Sequence, residues 1–266
     1  MVTSVIERRP VSFALGTLGF IIALTVVSQL VLEALFPNLT DNGVSLIINW
    51  LYVILSIALV AWLGWWQKIR LTAPINGGAL VYLIPFAAFA LFPLAFGPSI
   101  PEISLVEGTT LPDWATLLAI VFGSALGAAV AEELLYRGVL LRALEPRGRV
   151  FAALLTAALF VLTHFSRVIL GASIEEWILG VLLQLPLAIA LAAVAFRLDS
   201  LWPLIAWHFA ADITLPLVGT ASTTFVLVYL GLSVVIGIMG LWLLWQDRRA
   251  ARKGDQPPTP HPEVPE

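Results

Sequence analysis

Two adjacent carboxylates and one guanidinium interrupt a long apolar stretch of this chain. Within residues 114–141 the only charged side chains are Glu132, Glu133 and Arg137. A charge near the centre of a membrane helix costs about 2.5–3.5 kcal/mol on insertion scales, so it needs a partner or a function. The four-residue spacing of Glu133 and Arg137 predicts an ion pair, which on its own could be purely structural. Glu132 lies about 100° around the helix and can point into a separate cavity.

Two histidines lie in later apolar stretches. His164 stands alone, and a lone histidine in such a helix more often forms a packing hydrogen bond than takes part in catalysis. His208 has a carboxylate one helical turn away, because Asp212 follows it by four residues. A second histidine paired with an acid indicates a functional site, since intramembrane ionisable groups normally face a bundle interior or a wet cavity.

These side chains are suited to the activation of water. The chain has no cysteine, which excludes thiol nucleophiles and thiolate metal sites. Glu132 could be the general base on a water molecule, and His164 could share that water and later protonate the leaving amine. His208, with Asp212 behind it, could donate to the oxyanion of a tetrahedral intermediate. Glu132, His164 and His208 could also ligate zinc, but the compact His-Glu-x-x-His motif is absent, and we favour a reaction without a cofactor.

The elements that carry these residues are membrane helices. Of the 266 residues 60% are hydrophobic and 12% are charged, whereas soluble domains carry about 25% charged residues. Because about 20 apolar residues cross a bilayer, we predict an all-α, polytopic membrane helix bundle with about eight transmembrane helices. The predicted spans are residues 11–36, 44–66, 79–97, 114–144, 150–170, 177–196, 200–218 and 223–246. Gly123 and Gly127 in the fourth span have a Gly-x-x-x-Gly spacing, which predicts close approach of a neighbouring helix.

The basic residues predict the orientation of the bundle. With both termini cytoplasmic, 13 of the 14 Lys and Arg residues lie on or toward the cytoplasmic side, in agreement with the positive-inside rule. These 13 are Arg8, Arg9, Lys68, Arg70, Arg137, Arg142, Arg147, Arg149, Arg197, Arg248, Arg249, Arg252 and Lys253. Only Arg167 falls on the outer side.

The same orientation gives a depth for each candidate residue. At about 1.5 Å per residue from the cytoplasmic end of its helix, Glu132 lies about 18 Å deep, His164 about 21 Å, His208 about 12 Å and Asp212 about 18 Å. Three separate helices thus carry their unusual polar groups in one slab near the middle of the membrane. We therefore expect a single shared site.

Three motifs follow one another on successive predicted helices. They are Glu132-Glu133-x-x-x-Arg137, Phe160-x-x-x-His164 and His208-x-x-x-Asp212. In this order they resemble the motifs of the CAAX protease and bacteriocin-processing family, which includes the CAAX prenyl endopeptidases. The resemblance covers about residues 114–218 and implies intramembrane endoproteolysis in a cavity that opens toward the cytoplasm.

The resemblance also implies roles for individual residues. Glu132 and His164 would activate water, and His208 and Asp212 would form the oxyanion hole. Glu133, Arg137 and Phe160 are expected to support these groups structurally. Prenyl endopeptidases carry Asn at the position of Asp212, and an ionised Asp cannot donate to an oxyanion. Either Asp212 is protonated or it orients His208, which puts a prenylated substrate in doubt but not hydrolysis.

The chain is divided into four parts on this basis. Residues 1–113 hold the first three spans, 114–218 the four-span catalytic core, 219–254 the last span with its basic end, and 255–266 a Pro-rich tail that we expect to be disordered. We expect a multi-pass protein of the cell membrane, in particular of a prokaryotic plasma membrane. Its expected partners are the lipid bilayer and a membrane-embedded or lipid-modified peptide, not nucleic acid.

Three functions are compatible with these residues. The leading one is an intramembrane endopeptidase. The second is a non-catalytic membrane protein of the same family, a binding or immunity factor whose polar cluster holds a partner. The third is a proton-coupled transporter, since Glu and His chains also relay protons. The absence of an internal repeat in the spans weighs slightly against a transporter.

Overall fold

Each of the eight predicted spans forms a helix in the computed structural model, which describes residues 6–218 and 222–253. The helices are α1 (Pro10–Leu35), α2 (Asp41–Leu63), α3 (Gly77–Phe96), α4 (Asp113–Arg147), α5 (Arg149–Ile169), α6 (Ile174–Leu198), α7 (Trp202–Thr214) and α8 (Thr223–Lys253). All of these except α7 are long and apolar enough to cross a membrane. The described ranges contain no strand, so the protein is an all-helical, multi-pass membrane protein. The tail at 255–266 lies outside the described residues.

α7 is the short helix of the bundle, whereas the sequence predicts a full span over residues 200–218. Its 13 residues cover about 20 Å, less than the roughly 30 Å of the hydrocarbon core. A proline stands in its first turn, and a 3₁₀ turn at Leu215–Leu217, again with a proline at its start, follows its last residue. Since proline lacks the backbone N–H that a continuing helix needs, the α-helical hydrogen bonding stops there.

α7 packs against α3 and α4, while Trp202 and Ala206 remain exposed. The indole N–H of Trp207 donates to the carbonyl of Phe86 at 2.6 Å, and the hydroxyl of Thr214 donates to the carbonyl of Ala90 at 2.6 Å. Both acceptors belong to α3. These two bonds fix the depth and rotation of α7, and therefore the direction in which His208 points.

The start of α7 is held by an unusual junction. Arg70 and Asp199 form an ion pair, and both have left-handed backbone conformations, with φ of 61° and 57°. Side chains other than glycine adopt this region only at a cost, so the surrounding contacts must hold it. The N–H of Leu201 donates to the carbonyl of Arg70 at 3.3 Å, and the indole of Trp202 donates to the carbonyl of Leu71 at 2.9 Å.

α4 departs twice from regular α-helical hydrogen bonding. Wider π-helical turns occupy Ala119–Ala125 and Glu133–Leu140. Such turns are rare and are frequently found at functional sites. The second one begins directly at Glu133, so Glu132 is the last residue of the regular segment before it. The two adjacent carboxylates therefore stand at a change in helical geometry.

The two glycines of α4 allow α2 to approach closely, as their spacing predicts. A Cβ atom at Gly123 would lie 2.7 Å from Leu46 Cδ1, and one at Gly127 would lie 3.1 Å from Asn49 Cβ. A methyl group at Gly123 would therefore require the side chain of Leu46 to shift. This contact brings the polar side chains of α2 next to the segment of α4 that carries Glu132.

Candidate active site

His208 on α7 reaches the buried ion pair of α4 with one ring nitrogen. Its Nδ1 lies 2.9 Å from Glu133 Oε1, the same oxygen that accepts a 3.0 Å hydrogen bond from Nη1 of Arg137. The side chain of Glu133 is fully buried and that of Arg137 is 2% exposed. Because a carboxylate only accepts, Nδ1 of His208 is the donor. The four-residue spacing correctly predicts the pairing of Glu133 with Arg137, but not this third member.

The other ring nitrogen of His208 faces two carboxylates at longer range. Nε2 lies 3.6 Å from Glu132 Oε2 and 3.5 Å from Asp212 Oδ2. Both distances exceed the 2.7–3.2 Å of ordinary N–H···O hydrogen bonds. Nε2 is therefore held near Glu132 without an ordinary hydrogen bond to it, and in the doubly protonated form of the ring a substrate oxygen could become its acceptor.

The group behind His208 is thus Glu133, whereas the sequence spacing suggests Asp212. Asp212 sits one turn after His208 on α7, which brings its carboxylate beside Nε2. Glu133 comes from a different helix and reaches the opposite nitrogen, Nδ1. Only the rotation of α7 against α4 decides between these two arrangements, and a sequence does not encode that rotation in any local pattern.

His164 lies just after the first part of α5, which ends at Thr163. Its Nδ1 is 3.0 Å from the carbonyl of Phe160, one turn back in the same helix. Since a carbonyl oxygen only accepts, Nδ1 carries a proton, and a neutral His164 then has its lone pair on Nε2. This tautomer is the one that could accept a hydrogen bond from a water molecule.

The ring of Phe160 packs between the ion pair and His164. Its centroid lies 4.9 Å from Cζ of Arg137 and 5.1 Å from the centroid of the His164 ring. Tyr136 meets the same ring edge-on at 5.1 Å. A guanidinium over an aromatic face is attracted by the ring quadrupole. Phe160 therefore packs against both neighbours.

Glu132 and His164 line one cavity of about 990 Å³ between α1, α2, α4 and α5. This volume is at the upper end of the range for small-molecule pockets, and it could hold several residues of an extended peptide. The lining contains Tyr52, Tyr136 and Thr163 near the two candidate groups. The expected meeting of Glu132 and His164 is therefore observed as a shared cavity wall.

His208 and Asp212 stand beside this cavity without lining it. Their link to it is the 3.6 Å contact of His208 with Glu132, which does line it. Of the four candidates that were expected to share one site, two lie on the wall and two lie directly behind Glu132.

Sequence reasoning missed the contribution of α1 and α2 to the cavity. Five polar residues of α2 face it, at intervals of four, four, three and four residues, a helical stripe that the sequence does contain. They are Asp41, Ser45, Asn49, Tyr52 and Ser56. The hydroxyl of Tyr52 is hydrogen-bonded to that of Thr25 on α1, which ties the two helices together at the cavity. A search for helical stripes in the first two spans would have found this wall.

The zinc alternative does not fit this arrangement. In the described residues no group of three or more His, Cys, Asp or Glu side chains is placed to hold a metal ion. The proposed ligands Glu132 and His164 share the cavity, but His208 points its Nδ1 at Glu133 and its Nε2 between two carboxylates. We therefore derive no step that uses a metal.

Comparison with family models gives one match. Residues 113–214 match the model described as type II CAAX prenyl endopeptidase Rce1-like. The matched segment contains α4 to α7 and all three motifs, so the resemblance to the CAAX protease and bacteriocin-processing family is confirmed over this part of the chain. Comparison with curated proteins and comparison with solved structures each gave no match.

Proposed function

We propose that this protein is an intramembrane endopeptidase that hydrolyses a peptide bond of a membrane-anchored or lipid-modified substrate. The observation that carries the proposal is the position of Glu132 and His164 on one cavity wall, with His208 directly behind Glu132. A carboxylate and a free imidazole nitrogen at one cavity are the groups that a water-activating hydrolase needs. The family model that matches residues 113–214 describes enzymes of this reaction class.

In the proposed reaction, a water molecule in the cavity is polarised by Glu132 and Nε2 of His164. Its oxygen attacks the scissile carbonyl carbon while Glu132 takes the proton. In this scheme His208 acts as an imidazolium with a proton on both ring nitrogens, and its N–H at Nε2 stabilises the negative charge on the carbonyl oxygen. When the intermediate collapses, the C–N bond breaks and the leaving nitrogen receives a proton from Glu132 or His164.

The buried pair of Glu133 and Arg137 has a positioning role in this scheme. Glu133 accepts from Nδ1 of His208 and so fixes the ring with Nε2 toward Glu132. Arg137 compensates the charge of Glu133, which has no access to solvent. Asp212 shares the space around Nε2 and limits how far the ring can turn. A preorganised donor of this kind stabilises the transition state most when its supporting groups are rigid.

The proposal is tested with the purified full chain in liposomes that contain a membrane-anchored reporter peptide. Cleavage in ¹⁸O-labelled water should place one ¹⁸O in the new carboxylate. The cleavage activity should also persist after exhaustive chelation of metal ions. His164→Ala and His208→Ala should each cripple cleavage, and the double variant should be little worse than either, because groups that act as a unit are not additive. If no peptide product forms, a proton current would support the transporter function, and tight peptide binding would support the binding-protein function.

A further inference from the structure

The cavity that holds Glu132 and His164 has a polar part and an apolar part. On α1 its wall extends from Ser12 to Glu33, about 32 Å at 1.5 Å per residue, which is close to the full thickness of the hydrocarbon core. We call the part near Glu33 the outer part and the part near Ser12 the inner part. The two candidate groups lie between them.

The outer part is lined by charged and polar side chains. Apart from Glu132, every charged residue that the structure places on the cavity wall lies there, namely Glu33, Asp41 and Arg167. Glu33 and Asp41 are both exposed, so the outer part opens at the surface. Uncharged polar side chains continue from there toward the site, and they are Thr25, Gln29, Ser45 and Asn49. Because ionisable groups at membrane depth normally face water, this part is a hydrated path to the site.

The inner part is lined mainly by hydrocarbon, and none of the described residues on its wall is charged. Its large apolar side chains are Phe13, Phe20, Ile21, Leu55 and Leu59. The hydroxyl of Thr17 donates to the carbonyl of Phe13 at 2.9 Å, and that of Ser56 donates to the carbonyl of Ala131 at 3.4 Å. A water molecule in a cavity needs two to four polar partners, whereas apolar cavities stay dry. The inner part therefore offers water fewer binding positions than the outer part.

His164 also lies closer to the outer end of its helix. It stands five residues before the last residue of α5, Ile169, and 15 residues after the first, Arg149. At 1.5 Å per residue these separations are about 8 Å and about 22 Å. The path from the outer end of the bundle to this imidazole is thus the shorter one.

The outer part opens on the face of the molecule that carries residues 98–113. Backbone hydrogen bonds join this segment to the loop between α1 and α2, from Thr40 to Leu105 at 3.2 Å and from Glu107 to Asn38 at 2.8 Å. The distribution of basic residues predicts that this face is not cytoplasmic. The resemblance to CAAX proteases implies a cytoplasmic opening, whereas the wall of this cavity favours the opposite face.

We propose that water and the polar segment of the substrate reach the site through the outer part of the cavity, from the face that carries residues 98–113. The proposal rests on the endopeptidase function and narrows its substrates to membrane-anchored peptides whose cleaved segment lies on that face. The apolar inner part separates the site from the other face. It opposes the entry of charged peptide from there, because the charge would lose its hydration.

The absence of cysteine from the chain permits a test with single cysteines. Thr25→Cys in the outer part and Thr17→Cys in the inner part form a matched pair. Both positions are on α1, and each hydroxyl donates to the carbonyl four residues earlier, at 2.8 Å and 2.9 Å. Glu107→Cys and Arg147→Cys, at exposed positions, mark the two faces of the full chain in liposomes. A charged, membrane-impermeant methanethiosulfonate is then added to one side at a time.

Thr25→Cys should react from the side that labels Glu107→Cys and not from the side that labels Arg147→Cys. Thr17→Cys should react more slowly from either side, although it lies about 10 Å from its end of α1 and Thr25 about 15 Å from the other end. If Thr25→Cys does not fold, Ser45→Cys, on the same part of the wall, replaces it. Reaction of the outer-part cysteine from the Arg147 side, or from neither side, would overturn the proposal.

Two reporter peptides with the same membrane anchor separate this proposal from the endopeptidase function. One carries its cleavable segment on the Glu107 face and the other carries it on the Arg147 face. Only the first should be cleaved by the wild-type protein. Equal cleavage of both, or cleavage of the second alone, would reject the proposed route while the endopeptidase function stands. If neither peptide is cleaved, the endopeptidase function fails, and the cysteine labelling decides the route of access by itself.

Discussion

His208 shows how individual residues build this site from two helices. Its Nδ1 is fixed by a buried carboxylate of α4, and its Nε2 is left between Glu132 and Asp212 at distances beyond ordinary hydrogen bonds. The ring is thus held in one orientation, while Nε2 has no acceptor within ordinary hydrogen-bond distance. The proposed role as oxyanion donor requires such a nitrogen, because a donor that already has an acceptor cannot bond to the transition state.

The residue-scale prediction concerns Arg137. Arg137→Ala leaves the fully buried Glu133 without its cation, and removing one partner of a buried pair typically costs about 3–5 kcal/mol. We expect a lower free energy of unfolding in detergent and a lower folded yield, together with lost activity. Arg147→Ala, which removes an exposed arginine, should leave stability unchanged. Normal folding of Arg137→Ala with loss of activity alone would move Arg137 into the catalytic machinery.

Local spacing predicts contacts within a helix and fails for contacts between helices. The four-residue intervals correctly place Glu133 with Arg137 and Asp212 beside His208. The contact of Glu133 with His208 depends on the rotation and depth of α7, which are set by hydrogen bonds to α3. No interval in the sequence reports that rotation, so spacing alone predicts the contact of His208 with Asp212 and not its contact with Glu133.

α6 and α8 approach each other closely at two glycines of α8, Gly237 and Gly240. A Cβ at Gly240 would lie 2.5 Å from Ala190 Cα, and one at Gly237 would lie 2.6 Å from Pro186 Cβ. Without a hydrophobic force between helices in lipid, such close packing is a main source of association. This pair carries the basic end of the bundle, where Arg197 donates to Asp247 at 3.1 Å.

The element-scale prediction compares two glycines of the same helix. Gly240→Ala forces a methyl group into the backbone of α6 and should destabilise the protein by about 1–3 kcal/mol. A methyl group at Gly231 would meet no other atom within 4 Å, so Gly231→Ala should stabilise by up to about 1 kcal/mol through helix propensity. Thermal unfolding in one detergent measures both. Equal effects of the two substitutions would contradict the close approach of α6 and α8.

The apolar periodicity of the sequence predicts the helices well and their irregularities poorly. Most of the predicted spans agree with the observed bounds to within about three residues, because a run of about 20 apolar residues is typical of a membrane-spanning helix. The shortness of α7 and the π-helical turns of α4 could not be predicted in this way. Apolar periodicity takes no account of the prolines that bound α7, and it does not distinguish π-helical from α-helical hydrogen bonding.

At the scale of the whole molecule, the cavity joins the first two helices to the segment that matches the family model. The polar stripe of α2 and the link between Tyr52 and Thr25 complete a wall that α4 and α5 begin. The estimated depths predict one site for Glu132, His164, His208 and Asp212, and the first two of these line one wall. They do not show which helices close the cavity, because depth carries no information about lateral neighbours.

The whole-molecule prediction concerns topology. Both termini are expected to be cytoplasmic, because basic residues cluster at 8–9 and at 248–253, while the loop at 98–113 has none. Reporter domains fused at residue 105 and at the C-terminus should therefore report opposite sides of the membrane. A fusion after residue 75, between α2 and α3, is the control and should agree with the C-terminal fusion. Matching sides for residue 105 and the C-terminus would contradict the predicted arrangement of spans.

If Glu132 takes the proton from the attacking water, Glu132→Gln removes the base of the reaction. The amide keeps the size of the side chain but cannot act as a base, so the variant should fold, bind the membrane-anchored reporter peptide and cleave it at least about 100-fold more slowly. Glu107→Gln, an exposed position in the outer loop, is the matched control and should cleave at the wild-type rate. Wild-type cleavage by Glu132→Gln would contradict the account, and the polar cluster would then be a binding site.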